Sequence, residues 1–544
     1  MDDRQLDSQH DASRRRLFQR ARVVGLLTLL SRVLGLVRDA AMGMLFGLGP
    51  ILDAFTVAFR VPNMARQIFG EGALSTAFLP VFIRDREQSG MSAAFRTATA
   101  VLAATCVALL TLVILVDAVL LFVRGMLPLS SEAQLLLGLT ATLLPYLMLV
   151  CVLAQACAVM HGMNEFSVPA LFPVLLNALW IIVIWSIAQT TLKPVDQAYV
   201  VAAAIPVIGL VQLALCVPTL RKLGFQYEWD WQEARSRLRE IALTMLPVIV
   251  GLSITQLNTL CDSLIAWGLT APSDPTQTGW LSEYPLQEGT AAALYYGQRM
   301  YQFPLGVFAV ALGTVIFPLL STHAERGERD LFRDDLTRGL RMVIAIGIPA
   351  SVGLWLIAMP LTRLLFERGE FNQADSVQTS GMIAMYAVGV WAACMLLIVH
   401  RAFYALGDRV TPLRIGVFSV VLNVGLSLSL VFVLQGRGLA LATSISVSVQ
   451  TLVSVVLLSR KVTGFRWPPV FDALIRTTAA SAAMAMVCLG CTLLPGIGAA
   501  QSLGARLAAL GIPLVSGVAA FFIAARLLCL REPFELLTRR RTET

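Results

Sequence analysis

Residues 31–80 read SRVLGLVRDAAMGMLFGLGPILDAFTVAFRVPNMARQIFGEGALSTAFLP. The stretch is apolar enough to sit in a membrane, yet it holds Arg32, Arg38, Asp39, Asp53, Arg60, Arg66 and Glu71. A charge near the bilayer centre costs roughly 2.5–3.5 kcal/mol on insertion scales, so such residues persist only where they face a wet cavity, a partner or a substrate. Four of the seven are arginines, and the planar guanidinium fork suits phosphate and carboxylate. The segment therefore reads as half of a cationic cavity inside a membrane protein.

Composition agrees with that reading. The 544 residues are 57% hydrophobic and 14% charged, with a mean hydropathy of +0.74. A soluble protein carries about 25% charged residues. The apolar runs are long and do not alternate with period two, which excludes a β-barrel and predicts an all-α polytopic membrane protein. The net charge of +8 does not point to nucleic acid, because the basic residues sit in short loops between apolar runs, where they set topology. Nine cysteines lie almost all inside apolar segments. The Cys488–Cys491 C-x-x-C has no basic neighbour and no second pair, so it reads as packing. His10, His161, His323 and His400 are scattered and form no ligand set. Residues 1–22 are polar and basic and read as a short disordered cytoplasmic tail before a retained first helix.

Fourteen spans are predicted, over residues 23–46, 51–83, 92–123, 133–160, 168–188, 198–220, 240–270, 289–321, 338–365, 375–406, 411–434, 438–459, 470–494 and 503–528. The runs broken by Gly35, Pro62, Gly70, Pro304 and Gly306 suit helices whose freed backbone faces protein or water. With the N-terminus in the cytoplasm, the inside segments collect the basic clusters, among them Arg84 and Arg86, residues 221–239, Arg326 to Arg333, and Arg460 to Arg466. The outside segments hold mostly single charges, as the positive-inside rule requires. Both termini then lie inside.

A weak repeat joins the halves. ALSTAFLP at 73–80 matches ALGTVIFP at 311–318, an offset of 311 − 73 = 238. Pro169 and Pro412 enter two further helices at an offset of 412 − 169 = 243, each followed by an asparagine, Asn177 and Asn423. A repeat offset by six helices predicts two parallel six-helix lobes, 23–220 and 240–460, joined by a linker at 221–239. Residues 461–530 add a final helix pair, and 531–544 form a second cytoplasmic tail.

Arg32 and Arg38 stand six apart, on partly different faces of an ideal helix, and Gly35 between them permits a bend that would turn both inward. Arg60 and Arg66 repeat the spacing, and Arg299 stands inside Tyr295-Tyr296-Gly297-Gln298-Arg299. Interhelical ion pairs or snorkelling compete with substrate contact for each of them. Local cations exceed local anions, so full internal pairing leaves a cation over.

Ser31-Arg32-Val33-Leu34-Gly35, Arg38-Asp39-Ala40, Asp53-Ala54-Phe55, and Pro62-Asn63 through Arg66 to Glu71-Gly72-Ala73 together resemble the signature of MurJ/MviN-type lipid II flippases, as do Tyr295-Tyr296 with Arg299, Phe303-Pro304 and Ala311-Leu312-Gly313-Thr314. This family belongs to the multidrug/oligosaccharidyl-lipid/polysaccharide exporter superfamily. The resemblance implies a bacterial inner-membrane protein that moves lipid II, undecaprenyl-pyrophosphate bearing a disaccharide-pentapeptide, to the outer leaflet for peptidoglycan synthesis by alternating access. It implies substrate binding by Arg38, Arg66 and Arg299, with Arg32 and Asn63 nearby, gating by Asp39, Glu71 and Asp53, and a lipid-tail groove at the last two helices. Partners would be lipid II, the bilayer, and cell-wall synthesis and division proteins. Two departures stand out. Gln298 and Gln302 replace acids around Arg299. At the sodium site of some members, Asp262, Asn423 and Thr443 match ligand positions, but Ser427 stands where a second carboxylate is expected; a weakened sodium site there competes with Asp262 as a hydrogen-bonded structural acid, and no other cofactor is expected.

Two other readings remain. An exporter of another polyprenyl-linked glycan fits the same arginines, whereas a drug-cation antiporter would want acids. A membrane enzyme acting on polyprenyl lipids would need a His/Asp/Glu cluster at one face; Asp334-Asp335 with His323 reads instead as a solvated face.

Overall fold

The computed structural model describes residues 3–272, 281, 283–493 and 502–537, without the side chains of 3–21, 70–75, 231–234, 255, 536 and 537. Among the described residues the chain is helical, and its only strand-like pairing is an isolated bridge between Thr270 and Leu286. In chain order the helices are α1 (Asp3–Phe46), α2 (Pro50–Ala65), a π-helical segment (Arg66–Ala73), α3 (Leu74–Met126), α4 (Ser131–Gly162), α5 (Ser167–Ala188), α6 (Pro194–Lys222) and α7 (Trp231–Gly268). There follow α8 (Thr290–Pro304), a second π segment (Leu305–Ala309), α9 (Val310–Glu325), α10 (Arg329–Leu365), α11 (Gln373–Ala387), α12 (Val390–Ala405), α13 (Val410–Leu434), α14 (Gly436–Lys461), α15 (Pro468–Thr492), α16 (Leu503–Leu527) and the short α17 (Glu532–Leu537).

Among these, ten helices are long and apolar enough to cross a membrane, or twelve if each of two bent pairs is one span. α1 stands outside that set because Arg32, Arg38 and Asp39 interrupt it, and α2 because it is short. Adding them is consistent with the expected fourteen. α3 contains the break expected between the second and third spans. Gly90 has φ 87° and ψ 177° there, a conformation essentially reserved for glycine. No atom crowds its Cβ position, so backbone strain alone sets the cost of a side chain. Gly90→Ala is expected to destabilise by about 1–3 kcal/mol, read as a lower melting temperature with unchanged expression.

Large apolar side chains project outward along α3, among them Val107, Ile114, Leu115 and Phe122. Only lipid solvates such a surface without penalty. The protein is a multi-pass helical membrane protein.

The chain divides into two compact units. The first holds α1 to α6 and α7 as far as Gln256; the second holds Gly47–Gly49, the rest of α7 from Leu257, and α8 to α17. In the first unit Phe78, Phe82 and Phe95 form a buried core with Val159 and Ile241. An ionic network caps that core. Arg84 grips Glu240 with two bonds of 2.8 and 2.9 Å. The buried Asp85 takes Arg237 at 2.7 Å and the Thr97 hydroxyl at 2.6 Å. Segment 221–239, read as a linker, thus supplies Arg237 to this network, and Glu228 to Arg96 at 3.5 Å.

In the second unit Tyr296 of α8 packs against Phe366 and Phe371, and Gly297 lets α8 approach Tyr386 of α11 closely. α15 and α16 pack on α10 through Met484, Cys488, Phe521 and Ala525. Cys488 meets the Pro513 carbonyl at 3.2 Å and Cys491 meets Ser516 at 3.2 Å, so this pair serves packing. Charge pins the final helices at both ends. Arg506 binds Glu367 at 2.9 Å at one end; Arg338–Glu535 at 2.7 Å and Arg341–Glu532 hold the other.

The stretch before residue 23, read as a disordered tail, is helical from Asp3 and continuous with the first span. α1 also runs as one continuous helix past Gly35.

Candidate functional site

With α1 helical throughout, six residues rotate Arg38 well away from Arg32. Arg32 is exposed, whereas Arg38 is 5% exposed. Arg38 is held on three sides. Its Nε and Nη2 donate to Asp39 Oδ1 at 3.1 and 2.6 Å. Its Nη1 donates to Asn177 Oδ1 on α5 at 3.0 Å. Its guanidinium lies 4.5 Å from the centre of the Trp180 ring, one turn further along α5. Asn177 is fixed in turn by donating to the Ser31 carbonyl at 3.1 Å. Trp180 is backed by Phe59 and Phe55 of α2, with ring centres 5.0 and 5.9 Å away. Its buried indole N–H has no acceptor among the described residues. Charge-assisted hydrogen bonds and a cation–π face make this a preorganised arginine.

Arg66 opens the first π segment and is half-buried; its Nε and Nη2 donate to Asn63 Oδ1 at 3.3 and 3.2 Å. The π segment has a local cause. Pro62, inside α2, removes one ladder bond from the turn that leads into it. The second π segment begins directly after Pro304. Moving 66–73 by the repeat offset of 238 gives 304–311, which contains residues 305–309. The two halves therefore share not only a motif but the same helix distortion, a feature common at functional sites. Asp53 is buried in the first turn of α2, where helix polarity favours an acid. Glu71 lies on the π segment with its side chain outside the described residues.

In the second unit, Arg299 is half-buried on α8, with its guanidinium 5.7 Å from the Tyr295 ring centre. Gln298 donates to Thr259 Oγ1 of α7 at 3.3 Å, while Gln302 is exposed.

Asp262 of α7 lies in the same unit, 6% exposed. Its Oδ1 accepts from Asn423 Nδ2 at 2.7 Å and from the Ser427 hydroxyl at 3.3 Å; its Oδ2 accepts from Thr443 Oγ1 at 3.1 Å. Asn423 Oδ1 accepts from Ser446 at 3.2 Å. The structure thus brings together all three residues matched to a cation site, around a single carboxylate. Sodium needs oxygens turned toward it. Here an amide N–H₂ and two hydroxyls point at the carboxylate, and Ser427 donates where a second acid would have coordinated. In this arrangement the set serves Asp262 as a hydrogen-bonded acid. No group of three or more His, Cys, Asp or Glu suited to a metal occurs among the described residues. His323, read as standing in a solvated face, joins Glu328 at 2.6 Å and Asp335 at 3.2 Å, which ties the α9–α10 turn.

An apolar cavity of 940 Å³ opens between α10, α12, α14 and α15, walled by Trp355, Trp391, Trp467, Phe471 and aliphatic side chains. It has almost no polar lining and suits a hydrocarbon chain.

Sequence reasoning missed Trp180 and the role of Asn177. Asn177 stood out only as a repeat marker, and an aromatic three residues later on the same helix face was the available signal.

The chain matches the family model for lipid II flippase MurJ over residues 42–502. It is 33% identical over 430 residues to a probable lipid II flippase MurJ of Vibrio cholerae serotype O1, covering 76% of this chain and 77% of that protein. It is 32% identical to the Haemophilus influenzae protein of the same description, with coverage of 74% and 78%. A solved lipid II flippase MurJ in an inward closed conformation superposes with a TM-score of 0.73 at 22% identity, covering 95% of this chain and 99% of that one. The long family match and the relatives above 30% identity, together with the arginine-bearing first helices, establish that the chain belongs to the lipid II flippase MurJ family.

Proposed function

We propose that the chain flips lipid II from the inner to the outer leaflet of the bacterial cytoplasmic membrane, with both termini in the cytoplasm, to feed peptidoglycan synthesis. The observation that carries this reading is Arg38, a buried membrane arginine held by Asp39, Asn177 and Trp180. A pyrophosphate head group does not cross about 30 Å of hydrocarbon unaided. Arginines replace its lost hydration with charge-assisted hydrogen bonds. Arg38 and Arg66 serve this role in the first unit, and Arg299 in the second. The unpaired Trp180 N–H beside Arg38 suits an anionic oxygen.

Asp39 has a second task. While no substrate is present it neutralises Arg38; on arrival the pyrophosphate competes for the same N–H groups. The carboxylate then reclaims them, which favours release. The membrane potential, worth roughly 2.3 kcal/mol per charge per 100 mV, pushes an anion outward. The apolar cavity at α10 and α15 seats part of the polyprenyl tail. Motion is alternating access.

The test supplies this chain to cells depleted of their own flippase and measures lipid II exposed on the outer leaflet. Rescue is expected, with loss of at least about tenfold in rate for Arg299→Ala, the equivalent of one strong charge-assisted contact. Normal membrane expression without rescue would overturn the reading. Export of a different polyprenyl-linked glycan would show as transport of that lipid with no lipid II exposed.

A further inference from the structure

Arg401 stands on α12, inside the membrane-spanning part, and plays no role in the site described. It is half-buried. Its guanidinium lies 5.1 Å from the ring centre of Phe317 on α9. Gly313 of α9 faces it: a Cβ there would overlap Leu397 at 2.5 Å and meet Arg401 Nε at 3.9 Å. Among the described residues, the ion pairs include none to Arg401. A membrane arginine carrying only a cation–π contact keeps a full charge to neutralise.

Its surroundings are cationic. Tyr404 follows Arg401 by three residues on α12, so the two share a helix face, and Arg409 comes just after the turn in which the Gly407 N–H donates to the Tyr404 carbonyl at 3.0 Å. Tyr404 is 42% exposed, and Arg409 is exposed at the N-cap of α13. The nearest acid in sequence, Asp408, is engaged elsewhere. It pairs with Lys461 and accepts from the Val410 and Thr411 backbone N–H groups at 3.1 and 3.0 Å. The buried Nε2 of His400, one turn from Tyr404, has no partner among the described residues. Two guanidinium forks and a phenol O–H are a donor set for phosphate.

We propose that Arg401, Arg409 and Tyr404 form a phosphate-binding station for a lipid headgroup. It sits at the end of the second unit that the proposed topology places at the inner leaflet, and it rests on that topology. The station is separate from Arg299. Phe317 follows Arg299 by 317 − 299 = 18 residues, about 27 Å along a helix at ~1.5 Å per residue. One pyrophosphate cannot touch both. The phosphate belongs either to the incoming polyprenyl pyrophosphate, docking before it moves deeper, or to a resident anionic phospholipid.

Native mass spectrometry of the full-length chain in detergent decides this, with undecaprenyl pyrophosphate and phosphatidylglycerol titrated separately. Arg401→Gln is expected to weaken one or both by about tenfold, the effect of one strong charge-assisted contact. Arg401→Lys, which keeps the charge but loses the fork, should fall between wild type and Arg401→Gln. Arg409→Gln, an exposed change that leaves helix packing alone, should weaken the same lipid. Arg526→Gln, an exposed arginine at the end of α16, controls for general charge and should change neither. Loss confined to undecaprenyl pyrophosphate identifies the transported lipid as the occupant; loss confined to phosphatidylglycerol identifies a resident lipid. Unchanged binding of both lipids in Arg401→Gln and Arg409→Gln overturns the station while leaving the transport reading intact. Absence of undecaprenyl pyrophosphate binding in the wild type would instead undercut the transport reading, and the phosphatidylglycerol arm would still decide the station.

Discussion

Arg38→Ala is expected to abolish rescue of flippase-depleted cells and also to lower the stability of the purified protein. The two effects have different origins. Removing one member of a buried ion pair costs about 3–5 kcal/mol, because the remaining charge stays buried. In Arg38→Ala the remaining group is Asp39, 4% exposed. The double variant Arg38→Ala/Asp39→Ala removes both charges, so it should recover most of the melting temperature. It should not recover transport, because the guanidinium that meets the pyrophosphate is still missing. Arg38→Lys keeps the charge but not the fork that spans Asp39 and Asn177, so partial rescue is expected. If the double variant restored outer-leaflet lipid II, Arg38 would be a structural residue and nothing more.

Asp262→Ala is expected to be the most destabilising change in the second unit. It strips the acceptor from Asn423, Ser427 and Thr443. Asn423 and Ser427 are fully buried, and each donor left unpaired costs about 1–3 kcal/mol. A loss of about 3 kcal/mol or more follows, read by thermal melting in detergent. Asp262→Asn should cost less than Asp262→Ala, because an amide oxygen still accepts on one side. The same reading makes the wild-type melting temperature indifferent to replacing sodium with potassium. A ligand that binds only the folded state raises stability by RT ln(1 + [L]/Kd). A sodium-specific rise in melting temperature that disappears in Asp262→Asn would therefore show that the carboxylate does coordinate the ion.

Much of the fold was legible because membrane helices announce themselves through hydropathy and loop charge. The parallel repeat was legible too, and the structure extends it: the π segments at 66–73 and 305–309 overlap at the repeat offset. What escaped the sequence was side-chain direction. Gly35 permits a kink without requiring one, and α1 stays helical through it. Spacing alone does not tell that Arg32 is exposed and Arg38 buried. The basic opening stretch read as a tail because its composition is polar, yet its arginines, leucines and glutamines are good helix formers and the helix extends into it. Trp180 and Asn177 were invisible as Arg38 partners because their contact spans about 140 positions of chain, and no local pattern records it. Ser427 was legible in identity, but only the structure shows it donating to Asp262.

The two asparagines have a further consequence. Asn177 turns its oxygen to an arginine of α1, and Asn423 turns its N–H₂ to an aspartate of α7. A carboxamide is indifferent to the sign of the charge it seats; a half-turn of the side chain exchanges acceptor for donor. After duplication of an ancestral half, one copy could acquire a cation and the other an anion by changing only the charged residue, with the asparagine left in place. Functional asymmetry between the halves would then need few substitutions, and intermediates along the way would keep their buried polar group satisfied.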